Sequence, residues 1–271
     1  MEINWNPIVF HLGNFEIRWY GVFVVLAVIT VIGMALLEAK RRNFSRDTIW
    51  DVALWGVIGG ILGARLLHVI DKWDYYMQHP DQLLNFAGLA IWGAVLGALV
   101  AIIVYTQVKK ISFWELGDIV APGAILGQAV GRVGCLINGC CFGLTCDLPI
   151  AVFYQHPDSY APHGIPLYPT QVFHLIWNVA GFVLLWLLRK KMKPQGALFL
   201  LWLIFFSVGD FVIHFYREGD IFMFNLQQAQ VVDIAVVTVA AVLWIWRVIA
   251  SRKPAPAVES NTTGQNPAGS A

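Results

Sequence analysis

Seven stretches of 18 to 25 mostly apolar residues run along this chain: Trp19–Leu37, Ile49–Ile70, Leu84–Val108, Ile119–Leu136, Thr170–Leu188, Ala197–Phe215 and Val231–Ile249. A helix needs about 20 such residues to cross the hydrocarbon of a bilayer. Hydrocarbon offers the backbone no hydrogen-bond partner, so each run is committed to helix. Composition points the same way. Apolar residues fill 58% of 271 positions and charged residues 13%, with a net charge of +1 and a mean hydropathy of +0.64. Soluble domains carry about 25% charged residues. These figures exclude a soluble enzyme, a disordered chain and a nucleic-acid binder, which needs a clustered basic excess. The expected fold class is an all-α polytopic membrane protein with seven transmembrane helices.

Loop charge sets the direction of threading, because lysine and arginine collect on the cytoplasmic side. Lys40, Arg41, Arg42 and Arg46 follow the first run, Lys109 and Lys110 the third, and Arg189, Lys190, Lys191 and Lys193 the fifth. Arg247, Arg252 and Lys253 close the seventh, so that 13 of 18 basic residues share one side of a seven-span chain. The N-terminus is then outside and the C-terminus cytoplasmic. Residues 1–18 lack the basic start of a signal peptide and contain Asn, Pro and Glu. They are expected outside, on the membrane surface, with Trp5, Trp19 and Tyr20 at headgroup depth. The connection 143–169 is rich in proline and is expected to form a small irregular outer cap. Residues 1–251 read as a single seven-helix membrane domain. Residues 252–271, rich in Pro, Ala, Ser, Thr and Gly, read as a disordered cytoplasmic tail.

Five basic residues remain: Arg18, Arg65, Lys72, Arg132 and Arg217. Arg65 and Arg132 interrupt apolar runs near their outer ends, and Arg217 follows the sixth run in HFYREGD. An arginine facing lipid at mid-bilayer costs at least about 2.5–3.5 kcal/mol, so these residues face the bundle interior and have partners. Structural pairing is one reading: Arg65 with Asp51 or Asp118, Arg132 with Asp210, Arg217 with Glu218 or Asp220. An anionic ligand held in the outer half of the membrane is the other. The planar guanidinium fork binds phosphate bidentately and keeps its proton, and a phospholipid headgroup is the anion found at that depth.

The segment around Arg132, GQAVGRVGCLINGCCFG, is dense in glycine. Small residues let helices approach closely in a membrane, but they leave Gln128, Arg132 and Asn138 unexplained. Those three read as a polar site in a helix that breaks toward its outer end. Four cysteines, Cys135, Cys140, Cys141 and Cys146, follow a C-x4-C-C-x4-C spacing that is neither a C-x-x-C redox pair nor a familiar zinc pattern. They read as structural, with pairing of Cys146 to Cys140 or Cys141 left open and no metal site expected.

At these residues the chain resembles a known family, the prolipoprotein diacylglyceryl transferases of bacteria. The family signature is Gly-Arg-x-Gly-Asn-Phe-Ile-Asn with a glycine a few residues on. Here it stands as Gly131-Arg132-Val133-Gly134-Cys135-Leu136-Ile137-Asn138, closing at Gly143. Trp19-Tyr20-Gly21, Gly63-Ala64-Arg65, Asp118 through Pro122, Tyr168-Pro169-Thr170-Gln171, Phe215-Tyr216-Arg217 and Gln230 are similar to further family segments, in the same order.

The resemblance implies an enzyme, a transferase. It moves diacylglyceryl from phosphatidylglycerol to the thiol of the lipobox cysteine in a prolipoprotein signal peptide, forming a thioether and releasing glycerol 1-phosphate. The place implied is the bacterial inner membrane, with the active site toward the outer leaflet, among membrane lipids and without a cofactor or nucleic acid. Arg132 is implied to hold the lipid phosphate. Arg217 is implied to assist the departing phosphate or the incoming thiolate. Tyr20 and Asn138 would orient headgroup oxygens, and Arg65 and Gln171 would support them. Gly143 closes the binding segment, and Trp92 lines the substrate side where many relatives carry a histidine proposed as a base. Trp92 cannot take a proton, which leaves His68, Tyr20 or water under the arginine field. Cys135 and His174 are two further departures from the family pattern. His174 and His214 read as neutral hydrogen-bonded partners between the fifth and sixth spans. The rival readings are a non-catalytic or altered-substrate family member that binds anionic lipid, a transporter, and a quinone-coupled membrane thiol oxidoreductase.

Overall fold

The structure is a computed structural model that describes residues 1–13, 15–79, 82 and 90–252. Helices dominate it. In chain order they are α1 (Trp19–Arg42), α2 (Arg46–Asp71), the short α3 (Trp73–Gln78), α4 (Ile91–Val108), α5 (Phe113–Asn138), α6 (Thr170–Leu188), α7 (Ala197–His214) and α8 (Gln228–Arg252). Among the described residues, six helices are long and apolar enough to cross a membrane: α1, α2, α5, α6, α7 and α8. The apolar helix α4 is shorter. It covers the described part of the expected run Leu84–Val108, whose residues 84–89 lie outside the described residues. The fold is that of an all-α polytopic membrane protein. The expected tail 252–271 also lies outside the described residues, apart from Arg252 at the end of α8.

Local chemistry sets the helix ends. Ser112 caps α5 by accepting from the Glu115 amide at 3.3 Å, the start of a Ser-x-x-Glu capping box. This cap starts α5 six residues before the apolar run from Ile119. α1 runs on to Arg42 because Lys40, Arg41 and Arg42 in its last turn suit the negative end of the helix dipole.

α5 is the central helix and packs against α1, α6 and α7; α2 pairs with α4, and α7 with α8. Where α2 meets α4, glycines face each other, with Gly63 against Gly93 and Gly59 against Gly97. At one end of the bundle the buried Glu38 receives two hydrogen bonds from Arg41, at 2.6 and 2.8 Å, and lies 2.8 Å from Arg189 Nε. Arg42 lies 3.7 Å from Asp118, and Arg247 stands over the Trp114 ring. Basic residues expected to share one side of the membrane therefore meet at one end of the molecule.

The other end carries short strands that the hydropathy pattern does not show. β1 (Glu2–Ile3) pairs in parallel with β4 (Phe153–Tyr154), and the Met1 amino group donates to the Ala151 carbonyl at 2.7 Å. β2 (Ile8–Leu12) and β3 (Phe15–Arg18) form a hairpin that leads into α1, and β5 (Ile221–Met223) pairs with β6 (Leu226–Gln227) before α8. Ile3, Val152, Tyr154, Ala161 and Leu167 make a small apolar core, with Leu136 and Phe142 packed on it. The N-terminal segment and the segment after α5 thus fold together against the C-terminal end of α5.

Candidate active site

Arg132 sits in the last two turns of α5, among polar groups brought in by α6 and α7. Its Nη2 lies 3.6 Å from Asp210 Oδ1 of α7. Asp210 also faces the Nδ1 atoms of His174 at 3.5 Å and His214 at 3.2 Å. His214 Nδ1 is 2.8 Å from the Asp210 backbone carbonyl, which assigns the ring proton to Nδ1 and leaves Nε2 as an acceptor. Arg217 Nη1 donates to that nitrogen at 3.2 Å. The result is a continuous polar series, Arg132–Asp210–His214–Arg217. Among the described residues, Arg132 makes no hydrogen bond and Arg217 has no carboxylate partner, so both forks keep donors to offer. Buried Asp233 of α8 approaches the same cluster. A mostly apolar cavity of about 230 Å³ between α7 and α8, lined by Ser207, Phe211, Asp233 and Ile234 among others, opens beside it.

The backbone of Arg217 is fixed from two sides. Residue 217 bridges to Gly143, and the Leu144 amide donates to the Tyr216 carbonyl at 2.9 Å. Gln227 Nε2 donates to the Arg217 carbonyl at 2.8 Å. Gly143 permits this approach: a Cβ there would stand 2.6 Å from both Tyr168 Cβ and the Tyr216 carbonyl oxygen.

Gln171 and Thr170, at the start of α6, hold the chain just past α5. Gln171 Nε2 donates to the Cys140 carbonyl at 2.8 Å and to Tyr154 Oη at 3.3 Å, and Thr170 Oγ1 donates to the Cys141 carbonyl at 2.7 Å. Burial pushes the Tyr154 phenol up, so it remains protonated. All four cysteines are free thiols, which leaves Cys146 unpaired with Cys140 or Cys141. The sulfurs of Cys135, Cys140 and Cys141 lie within 4.8 Å of one another. Thiol hydrogen bonds from Cys135 and Cys140, with the charges of Arg217 and Arg132, hold Cys141 well below the usual thiol range. Tyr20 comes close enough to these sulfurs and to Arg132 to interact electrostatically. It reaches them because α1 packs against Gly134, where a Cβ would stand 3.3 Å from Tyr20 Cα. Asn138 is buried at the end of α5, its carbonyl accepting from the Tyr160 amide and its Oδ1 standing 3.5 Å from Arg18 Nη1.

The structure therefore brings Tyr20, Arg132, Asn138, Gly143, Gln171 and Arg217 to one end of α5. Arg65 and Trp92 stand on α2 and α4, the two helices that pair with each other. Arg65 donates to the Gln82 carbonyl at 2.7 Å and lies over the Tyr76 ring, while Asp51 and Asp118 are taken by Tyr105 and Arg42. Trp92 is 43% exposed on α4 and, among the described residues, has no hydrogen bond or ring contact with the arginines. Gln128 accepts from Trp202 Nε1 at 3.2 Å and so ties α5 to α7. Asp233 and Gln227 join the site without standing out in the sequence. Their only available signal was a carboxylate or amide at the start of an apolar run.

A family described as prolipoprotein diacylglyceryl transferase matches residues 7–246. Curated relatives named phosphatidylglycerol–prolipoprotein diacylglyceryl transferase align over most of their length. One from Dehalococcoides mccartyi is 37% identical over 247 residues, covering 91% of this chain and 95% of the relative. One from Bacillus licheniformis is 36% identical over 249 residues (89% and 92%), and one from Acaryochloris marina 35% over 254 residues (91% and 92%).

Proposed function

The chain belongs to the prolipoprotein diacylglyceryl transferase family, and on that premise we propose that it transfers diacylglyceryl from phosphatidylglycerol to a prolipoprotein. The acceptor is the lipobox cysteine thiol, the product a thioether and the leaving group glycerol 1-phosphate. The observation that carries this reading is the Arg132–Asp210–His214–Arg217 series, which holds two guanidiniums near one carboxylate with donors to spare.

The chemistry needs that arrangement. A sulfur nucleophile attacks the terminal glycerol carbon of the diacylglyceryl group, and the carbon–oxygen bond to the phosphate breaks. Negative charge moves onto the leaving phosphate, and fixed cations away from water stabilise it in the transition state. Arg132 grips the phosphate of the bound lipid. Arg217, with its backbone fixed by Gly143 and Gln227, meets the charge that develops on departure. Tyr20 and Asn138 orient headgroup oxygens. Gln171 acts at one remove, through the Cys140 carbonyl that it holds. Arg65 steadies the α2–α3 corner, and Trp92 stands on the lipid-facing side of α4. No C-x-x-C pair exists for a thiol oxidoreductase, and that reading would leave the two arginines without a task.

We place the protein in the bacterial inner membrane with seven spans, an outside N-terminus and a cytoplasmic C-terminus, residues 1–251 forming one domain. The meeting of Arg41, Arg42, Arg189 and Arg247 at one end supports this orientation. It puts the arginine site and the strand-built cap toward the outer leaflet, where secreted precursors emerge. The test is product formation. Purified protein given labelled phosphatidylglycerol and a lipobox peptide should yield the thioether, and a protein that binds the lipid without yielding thioether refutes the reading.

A further inference from the structure

Three thiols converge where α5 ends. Cys135 lies in the last turn of α5, and Gly139 and Cys141 both take the left-handed backbone region, with φ of 71° and 60°. Residues other than glycine seldom occupy that region, and here it turns the chain so that Cys140 and Cys141 fold back toward Cys135. The Cys140 amide bonds to the Cys135 carbonyl at 3.2 Å, while Thr170 and Gln171 fix the next two carbonyls. The three sulfurs lie within 4.8 Å of one another. Cys146 takes no part and sits buried in the cap, its amide bonded to the Pro166 carbonyl.

A tetrahedral zinc ion binds sulfur at about 2.3 Å, which sets its ligands about 3.8 Å apart. The thiols reach that spacing with shifts of about 1 Å. A set of sulfurs without carboxylates selects a thiophilic cation over magnesium or calcium. Three protein ligands with one vacant position is the pattern of catalytic rather than structural zinc. We propose that Cys135, Cys140 and Cys141 bind a thiophilic divalent cation of the zinc class, whose fourth position faces the arginine site and takes the acceptor thiol of the substrate as thiolate.

This inference rests on the transferase reading and gives the reaction its nucleophile. Cys135 stands one helical turn past Arg132 on α5, Gly134 beside it packs against Tyr20, and Gly143, two residues beyond Cys141, bridges to Arg217, so the vacant position and the leaving phosphate fall at the same end of α5. Three thiolates on a divalent cation carry one net negative charge, which the neighbouring guanidiniums offset. A thiol that coordinates such a cation loses its proton outright, and thiolate is the reactive form. The balance is complete: the acceptor S–H proton goes to solvent, the metal-bound sulfur forms the new S–C bond, and the C–O bond to phosphate breaks. The product thioether is a poor ligand and leaves the metal.

Cobalt(II) is the probe. Full-length protein in micelles, reduced with a phosphine and stripped of metal by a chelator, is titrated with Co²⁺. One equivalent should bind, with sulfur-to-cobalt charge-transfer absorption and strong tetrahedral ligand-field bands. A lipobox peptide should shift those bands, and its Cys→Ser version should not. Cys141→Ser should lose the charge-transfer absorption and Cys146→Ser should keep it. Wild-type protein without that absorption, or with the same absorption after Cys135, Cys140 and Cys141 are all changed to Ser, overturns the site. Because the wild-type titration stands alone, a variant that fails to fold does not rescue the idea. Bands indifferent to the thiol peptide overturn the vacant position. Undiminished transfer by the stripped protein overturns the metal's role and leaves the transferase reading standing. A formed cobalt site in a protein that makes no thioether strikes the transferase reading instead.

Discussion

Arg217 meets His214 through Nη1 and Nε2 at 3.2 Å, and His214 in turn faces Asp210, the carboxylate that Arg132 touches. Two residues separated by 85 positions are thereby set by one carboxylate and one imidazole. On the proposed reading, a phosphate on Arg132 would lie within this same series as Arg217.

Arg132→Ala should lower the rate of diacylglyceryl transfer by roughly 100- to 1,000-fold, the usual loss when one donor to a developing charge is removed. Arg132→Lys keeps the charge but loses the bidentate fork, so its rate should fall between those of the wild type and the alanine variant. Transfer of labelled lipid to a lipobox peptide measures both. A lysine variant equal to wild type would show that the fork is not used.

His214→Leu separates charge from placement. Both arginines remain, while Arg217 loses its nitrogen acceptor. Misplacement of a reacting group by about 1 Å can cost about 100-fold, so kcat should fall to that extent. KM for phosphatidylglycerol should move little, because Arg132, proposed to hold the headgroup, is left in place. Steady-state kinetics at varied lipid mole fraction in mixed micelles gives the split, and a change in KM alone would contradict the series.

Part of this site is legible in the sequence. The length of the apolar runs alone finds the six long helices and the shorter α4. The penalty for charge in lipid picks out Arg132 and Arg217, and the Asp210–His214 spacing of four puts both on one face of α7. Contacts between distant segments leave no such trace. Gly143 meets Arg217 across 74 residues of chain, and the two-residue strands β1 and β4 are too short to show alternation. The order of motifs groups Arg65 and Trp92 with the site, and lateral position depends on which helices pair, which the sequence does not show. α2 and α4 pair with each other, and α5 with α1, α6 and α7.

Two glycines of the same segment should behave oppositely. A Cβ on Gly143 would stand 2.6 Å from the Tyr216 carbonyl oxygen and 2.7 Å from that of Tyr168, both backbone atoms with little room to move. Gly143→Ala should cost about 1–3 kcal/mol of stability and displace Arg217, lowering both the thermal midpoint and transfer. A Cβ on Gly131 meets nothing within 4 Å. Gly131→Ala should therefore keep the midpoint or raise it slightly, as alanine is the better helix residue. Thermal unfolding of both variants in one detergent tests the contrast, and equal midpoints would remove the proposed role of close approach at Gly143.

The opposite end of the bundle offers a control on stability without chemistry. Glu38 is 1% exposed and holds Arg41 of its own helix together with Arg189, just past α6. Removing one partner of a buried ion pair leaves an uncompensated charge and costs about 3–5 kcal/mol. The Arg41 side chain is 30% exposed, so water relieves part of that cost and the low end, about 3 kcal/mol, applies to Glu38→Ala. The thermal midpoint should fall clearly. Transfer per folded molecule at low temperature should match the wild type, since this cluster lies at the other end of α5 from Arg132. Glu38→Gln retains one acceptor oxygen and should fall between the two. A loss of specific activity as large as the loss of stability would show instead that the two ends of the bundle are coupled.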